Sequence, residues 1–304
     1  MAHNLINKYV WLVETIYNAG RITYEEINEK WLDNEMSEGV DLALRTFHKW
    51  RIAAEEMFGL LIECERRGGY HYYIANAEEL KNGNMRNWLL STLSVSNLLI
   101  DNQHMKERIL LEEIPSGQEF LAPIITAMKE CTPLVVTYRS FWRGEENTFE
   151  MEPYCVKLFK QRWYVVGHSP YYTDGRVLTY ALDRIVDMHA LPDRRYSMPD
   201  RFDAEDFFSN YFGVSTEKGV ACERVRLRVS PGQANYLRTL PMHHTQQEVQ
   251  STSEYSIFEM RLCPTNDFVQ EILWHGECVE VLEPLWLRTA IAEKINAMSS
   301  NYGV

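Results

Sequence analysis

Apolar residues recur at helical spacing near the start of the chain. Leu5, Tyr9, Leu12, Val13 and Ile16 predict an amphipathic helix over 4–18, closed by Asn18-Ala19-Gly20. Thr23 with Glu26 three residues on is a capping-box pattern, and it starts a second helix that runs to Trp31. After a polar break at 33–39 a third helix is expected over 40–58. Gly68-Gly69 then separates two β-like runs, 60–65 and 70–74. Three helices followed by a two-stranded wing are the order of a winged helix-turn-helix, whose third helix enters the major groove.

The pattern then changes twice. Residues 76–130 read as a helical connector, with a dense apolar segment from Trp88 to Ile100 and a second helix over 118–130. That surface must be covered, either by the neighbouring domains or by a second chain in a homodimer. From 131 the period becomes two, with strands expected at 133–141, 147–159, 161–168, 176–182 and 185–190. The gaps hold no helical crossover, so these five strands suggest a small bent sheet or barrel. Beyond 196 a short aromatic helix over 203–213 precedes strands at 223–230 and 255–262, which alternate with helices at 231–240 and 265–275. A strand from Val279 and a final helix to Met298 close the chain. This β-α-β order suggests a ferredoxin-like domain. The fold class is multidomain α+β, divided 1–75, 76–130, 131–195 and 196–304.

A chain of 304 residues can bury two or three cores. No apolar run is long enough to span a bilayer, and a basic segment leading into an apolar one is missing at the N-terminus, so a cytoplasmic protein without membrane contact is expected. The six cysteines are scattered, with no Cys-x-x-Cys pair, and are expected to be reduced thiols. The net charge of −12 argues against a uniformly nucleic-acid-coated protein, but its distribution matters more. Residues 1–75 carry 8 basic and 12 acidic residues (8 − 12 = −4), 131–195 carry 9 and 8 (+1), and 196–304 carry 9 and 15 (−6). The third helix is locally basic: Arg45, Lys49 and Arg51 lie there with no acid between Leu42 and Arg51.

Little here suggests catalysis. The Gly-x-Ser-x-Gly elbow, the phosphate loop, Gly-x-Gly-x-x-Gly and His-Glu-x-x-His are all missing. Adjacent His243 and His244 do not have the spacing of helical zinc ligands and read as a surface loop. No cofactor or metal is expected. The informative stretch is Gln161–His168 with Val177–Ile185, two strands joined by a turn at Pro170, Asp174 and Gly175. Trp163 and Tyr164 must point to opposite faces, so one can anchor a core while the other meets water or a ligand. Arg176 and Arg184 flank the second strand. A hairpin with its arginines in solvent fits the same residues.

Trp163-Tyr164-Val165-Val166-Gly167 resembles the Trp-Tyr-Leu signature of WYL-domain proteins, with Val165 in place of Leu. Val135–Ser140 resembles the family's first strand, Glu152-Pro153-Tyr154 its second, and Tyr180–Ile185 its closing strand with an Asp-Arg-Ile element. Trp274-His275-Gly276 and Val281-Leu282-Glu283-Pro284 resemble the C-terminal extension that follows many WYL domains. Arg45-Thr46-Phe47 is similar to the recognition-helix start of their usual N-terminal partner. The resemblance implies an Sm-like barrel that binds a nucleic-acid fragment or nucleotide-like effector through Tyr138, Ser140, Tyr164, Arg176 and Arg184, with Arg139 and Arg162 flanking the motifs. It also implies a head that binds double-stranded DNA.

The resulting expectation is a transcription regulator whose DNA affinity is set by a ligand on the central domain. Arg45, Thr46, His48 and Lys49 on the third helix, with Arg66, Arg67 and Tyr72 at the wing, would contact DNA. The alternative is a nucleic-acid-processing enzyme, or its accessory subunit, that uses the barrel as a substrate clamp. A sensor whose acidic N-terminal domain contacts protein is a third reading.

Overall fold

The computed structural model describes residues 2–80, 92, 93, 95, 117–141, 144–200, 202–217 and 219–303. It divides into two compact units, Met1–Glu112 and Glu113–Val304. Of the expected connector, the apolar segment from Trp88 to Ile100 falls almost wholly outside the described residues. Among the described residues, no helix is long and apolar enough to cross a membrane.

The first unit holds α1 (Ala2–Ala19), α2 (Tyr24–Leu32) and α3 (Leu44–Phe58), then a hairpin of β1 (Ile62–Glu65) and β2 (His71–Ile74). The helical stripe of α1 is the predicted one: Leu12, Val13 and Ile16 are fully buried, while Leu5 is left partly in solvent. The predicted capping box at Thr23 and Glu26 starts α2. The third helix begins at Leu44, four residues later than expected, because the turn before it is held by side chains. Asn28 donates to Asp41 and accepts the Leu42 N–H, and the Tyr24 hydroxyl donates to the Leu42 carbonyl. Gly59, at φ 65°, ends α3 in the left-handed conformation that glycine adopts most readily. Trp11, Trp31 and Trp50, one from each helix, meet edge to face at 5.0 and 5.1 Å. Such rings contribute beyond the area they bury, by about 1 kcal/mol a pair.

In the second unit α4 (Gln118–Glu130) leads into five strands: β3 (Leu134–Arg139), β4 (Glu146–Phe159), β5 (Arg162–His168), β6 (Val177–Ala181) and β7 (Ile185–Ala190). All pairings are antiparallel, in the order β6-β5-β4-β3-β7. Helix α4 lies on this sheet: Ile124 and Ala127 pack with Leu134, Val136, Met151, Val165, Leu182 and Ile185. The expected barrel does not close. The chain leaves β6 at Ala181, makes a tight turn over Leu182–Arg184 and enters β7 on the opposite edge, where it pairs with β3. The three turn residues cannot extend a ladder, and none joins β6 to β7.

The remainder contains α5 (Ala204–Phe208), β8 (Glu223–Val229), α6 (Pro231–Thr239), β9 (Gln247–Ser251), β10 (Ser256–Leu262), α7 (Asn266–Trp274), β11 (Val279–Glu283) and α8 (Leu285–Asn301). The sheet order is β11-β8-β10-β9, again antiparallel. Val225, Leu227 and Val229 face a core shared with Phe258, Phe268, Ile272 and Leu287. Arg224, Arg226 and Arg228 alternate with them and form ion pairs with Glu259, Glu280 and Glu283. Three expectations need correction. Helix α5 stops at Phe208 rather than Gly213. Cys222 and Cys263 are disulfide-bonded rather than reduced; they extend the register that pairs Glu223 with Leu262. His243 is buried rather than in a surface loop. Its ring contacts the Ser209 carbonyl at 2.9 Å and Thr245 at 2.7 Å.

Candidate functional site

Strand parity decides which signature residue does what. Trp163 packs with the core under α4. Tyr164, its neighbour, turns to the other face and lines a cleft of about 570 Å³. Tyr138 of β3, Arg162 of β5, Thr179 of β6 and Arg184 of the tight turn share that wall. The opposite wall belongs to the C-terminal region: Ser215, Thr216 and Glu217 before β8, and Asn266, Asp267 and Gln270 on α7.

The sheet wall is cationic and aromatic. The Arg184 guanidinium lies over the Phe141 ring, 4.4 Å from its centroid, and makes no ion pair among the described residues. Its Nε is buried without a hydrogen-bond partner. Arg162 stands 3.7 Å from Asp183, a loose contact that leaves it partly available. The Tyr138 hydroxyl accepts the Ala181 N–H at 3.1 Å. Burial pushes the Tyr138 hydroxyl above its usual pKa, against the pull of the Ala181 N–H and the Arg184 guanidinium. Burial likewise raises Tyr164, opposed by Arg162 and Arg184. Both tyrosines therefore stay neutral donors at physiological pH.

The facing loop is held against the sheet by Lys157 of β4, whose ammonium donates to the Gly213 carbonyl at 2.7 Å. Burial lowers the pKa of this lysine to about 8. Asp267 accepts the N–H groups of Val214 and Ser215, each at 2.7 Å. The loop passes so close that a Cβ at Gly213 would meet Asp267 Oδ2 at 2.2 Å.

The other candidate residues are dispersed. Ser140 lines a second cleft of about 500 Å³, floored by Phe149, Tyr172 and Tyr180, and Tyr138 borders both clefts. Arg176 lies in neither: its guanidinium is engaged by the Asp174 carboxylate at 2.8 Å and lies over Tyr172. Arg139 is paired with Glu146 at 2.6 Å. The residues absent from the sequence reading, Asn266 and Gln270, lie about a hundred positions from the signature and carry no local motif. Asn266 is marked only as the first residue of α7.

In the first unit Arg45 and Lys49 are exposed on α3, and Thr46 is half-buried. His48 is half-buried beside the Phe47 ring at 5.3 Å. Leu44, the first residue of α3, is 49% exposed, whereas Phe47 is fully buried. Arg66 and Arg67 are exposed at the hairpin tip. Tyr72 is a correction: it is 7% exposed, with its ring edge to face against Phe47 at 4.8 Å. Pairing of Tyr72 with Cys64 and with Ile22 turns it inward, away from any external partner.

The WYL domain family matches residues 119–190, and the WCX domain family matches residues 223–299. No curated protein matches the sequence. Among solved structures the chain is similar to proteasome accessory factor B/C (PafBC) of Arthrobacter aurescens, with 17% identity and a TM-score of 0.37 over 98% of this chain and 47% of that one. It is also similar to a CRISPR Cas-related protein, with 10% identity and a TM-score of 0.40 over 99% and 85% of the two chains. The chain thus spans about half the length of PafBC, and likenesses at these scores carry no argument about function.

Proposed function

We propose that this chain, which carries a WYL domain and a WCX domain, is a DNA-binding transcription regulator controlled by a ligand in the cleft beside Arg184. The ligand is a nucleic-acid fragment or a nucleotide-like molecule. One observation carries the reading: an arginine without an ion-pair partner among the described residues lines an open cleft with two neutral tyrosines. A guanidinium pairs bidentately with phosphate, and a tyrosine stacks on a base while donating a hydrogen bond. Tyr138, Tyr164 and Arg184 are the primary contacts, with Arg162 beside them. Ser140 serves the adjoining cleft.

The finer architecture belongs to the same proposal. Residues 1–75 act as a winged helix-turn-helix, with α3 as the helix that enters the major groove and Arg45, Thr46, His48, Lys49, Arg66 and Arg67 as DNA contacts. Residues 76–130 connect it to a WYL domain at 131–195 built on the open five-stranded sheet, and 196–304 is a ferredoxin-like extension. A homodimer in the cytoplasm would match two operator half-sites.

Regulation requires the ligand to bind one conformational state better than another. The start of α4 supplies a mechanical link. At Gly117 a Cβ would meet the Leu182 carbonyl carbon at 2.4 Å and the Asp183 nitrogen at 2.6 Å. The segment entering α4 therefore rests directly on the turn that carries Arg184, so a shift of that turn must move it. The test is a gel-shift titration with DNA from upstream of the protein's own gene. Salt-dependent binding supports the reading, and failure to bind DNA at low salt refutes it.

A further inference from the structure

The second cleft, of about 500 Å³, opens on the other face of the sheet from Tyr164. Tyr180 stands across from Val165, and Phe149 across from Val136. Both valines are buried in the core under α4, so these rings lie where that core runs out into solvent. Among the described residues, every one that lines the cleft lies between Tyr138 and Tyr180, so the C-terminal domain takes no part. Its walls are aromatic. The Tyr180 ring meets Tyr138 at 5.2 Å and Phe149 at 4.9 Å. Tyr171 and Tyr172, on the connection between β5 and β6, meet edge to face at 5.5 Å. Arg176 lies over Tyr172 and is tied to Asp174, which holds that ring in place. No charged side chain among the described residues lines the cleft, and burial keeps the Tyr180 hydroxyl neutral by raising its pKa. One polar group is left over. Ser169 is 2% exposed, and its Oγ is buried without a hydrogen-bond partner. A buried hydroxyl left unpaired is costly, and a ligand atom that reaches it recovers the cost.

We propose that this cleft is a second ligand site, built for an uncharged planar aromatic molecule that carries one hydrogen-bonding group such as a primary amide. The ring lies among Tyr171, Tyr172 and Tyr180, and the polar group reaches Ser169 and Asn147. Ring pairs contribute beyond the area they bury, which favours an aromatic ligand over a saturated one. A carboxylate or phosphate would lose its water with no cation in the cleft to replace it, which selects against charge. The Asn147 side chain, on the rim, makes no hydrogen bond among the described residues and offers both a donor and an acceptor. This site differs from the cleft of Arg184 in place and in chemistry, and it stands whether or not an anion binds there. Tyr138 borders both clefts, and its hydroxyl accepts the Ala181 N–H beside the turn that carries Arg184. Two ligands of different class would therefore touch one residue, and the domain would take two inputs rather than one.

The test is a ligand-observed NMR titration of the full chain with three probes: indole-3-carboxamide, the anionic indole-3-carboxylate and the saturated cyclohexanecarboxamide. The neutral indole should bind saturably and at least about fivefold more tightly than either of the others. Tyr171→Ala and Ser169→Ala should each weaken it by about three- to tenfold, the loss of one ring contact or one hydrogen bond. Neither variant should unfold the chain: Tyr171 is 83% exposed, and the Ser169 hydroxyl has no partner to lose. The urea midpoint of Ser169→Ala should therefore stay level or rise, whereas a structural role for that hydroxyl would lower it. A wild-type chain that does not bind the neutral indole, or that binds all three probes equally, overturns the inference. So does binding that neither Tyr171→Ala nor Ser169→Ala weakens. Binding that falls with Arg184→Ala but not with Tyr171→Ala puts the probe in the other cleft, which overturns this site and leaves the other standing.

Discussion

The guanidinium carbon of Arg184 stands 4.4 Å from the centroid of the Phe141 ring, in a position that supports the charge without neutralising it. Arg176, the other arginine of the same hairpin, is engaged by Asp174 through three hydrogen bonds of its side chain, at 2.8 to 3.0 Å. Two residues of one type and similar sequence context thus differ in what they have left to offer a ligand.

That contrast makes a prediction about anion binding. Arg184→Ala should lower affinity for pyrophosphate or an oligonucleotide by about 10- to 100-fold, the loss expected for a charge-assisted hydrogen bond. Arg176→Ala should change it less than about twofold, since an exposed ion pair contributes little. Calorimetry on the two variants checks this, and an equal loss in both would place the ligand elsewhere.

DNA contact should depend on α3. Arg45→Ala and Lys49→Ala should each weaken DNA binding and reduce the slope of log affinity against log salt by about one. Gel shifts indistinguishable from wild type would remove α3 from the groove. Tyr72→Ala should act differently. Its ring is packed against Phe47, so the variant should lose about 3 kcal/mol of stability, seen as a lowered urea midpoint.

Lys157 gives a pH dependence with a definite sign. Burial lowers its pKa from 10.5 to about 8 in the folded state. Between those values the unfolded chain binds more protons than the folded one, so stability contributed through this group rises as pH rises from about 8 toward 10.5. Below about 8 both states carry the charge and the penalty is constant. Comparing urea unfolding of wild type and Lys157→Met at pH values inside and below this window isolates the effect from the titrating tyrosines. The difference should be on the order of 1 kcal/mol after allowance for solvent screening, and equal pH slopes would contradict it.

Much of this was legible in the sequence where one face of an element is buried. The strands between 133 and 190 alternate in β-branched and aromatic residues, and the structure places β3 to β7 within a few residues of the expected bounds. The opposite orientations of Trp163 and Tyr164 followed from strand geometry alone. β9 was missed because every residue from Gln247 to Ser251 is exposed, so no apolar alternation marks it. Tyr72 was misplaced because its direction depends on pairing with Cys64 and Ile22, and a shift of one residue in register reverses a side chain. The Cys222–Cys263 bond and the amides of α7 depend on contacts between distant segments, which no local pattern encodes.

The central claim is that a ligand beside Arg184 changes how tightly the protein holds DNA. The most direct measurement is the affinity of the full chain for DNA from upstream of its own gene, with and without a saturating single-stranded oligonucleotide, in wild type and in Arg184→Ala. The account predicts a shift of at least about fivefold in wild type and none in the variant. Equal affinities in wild type with and without a bound oligonucleotide would contradict it.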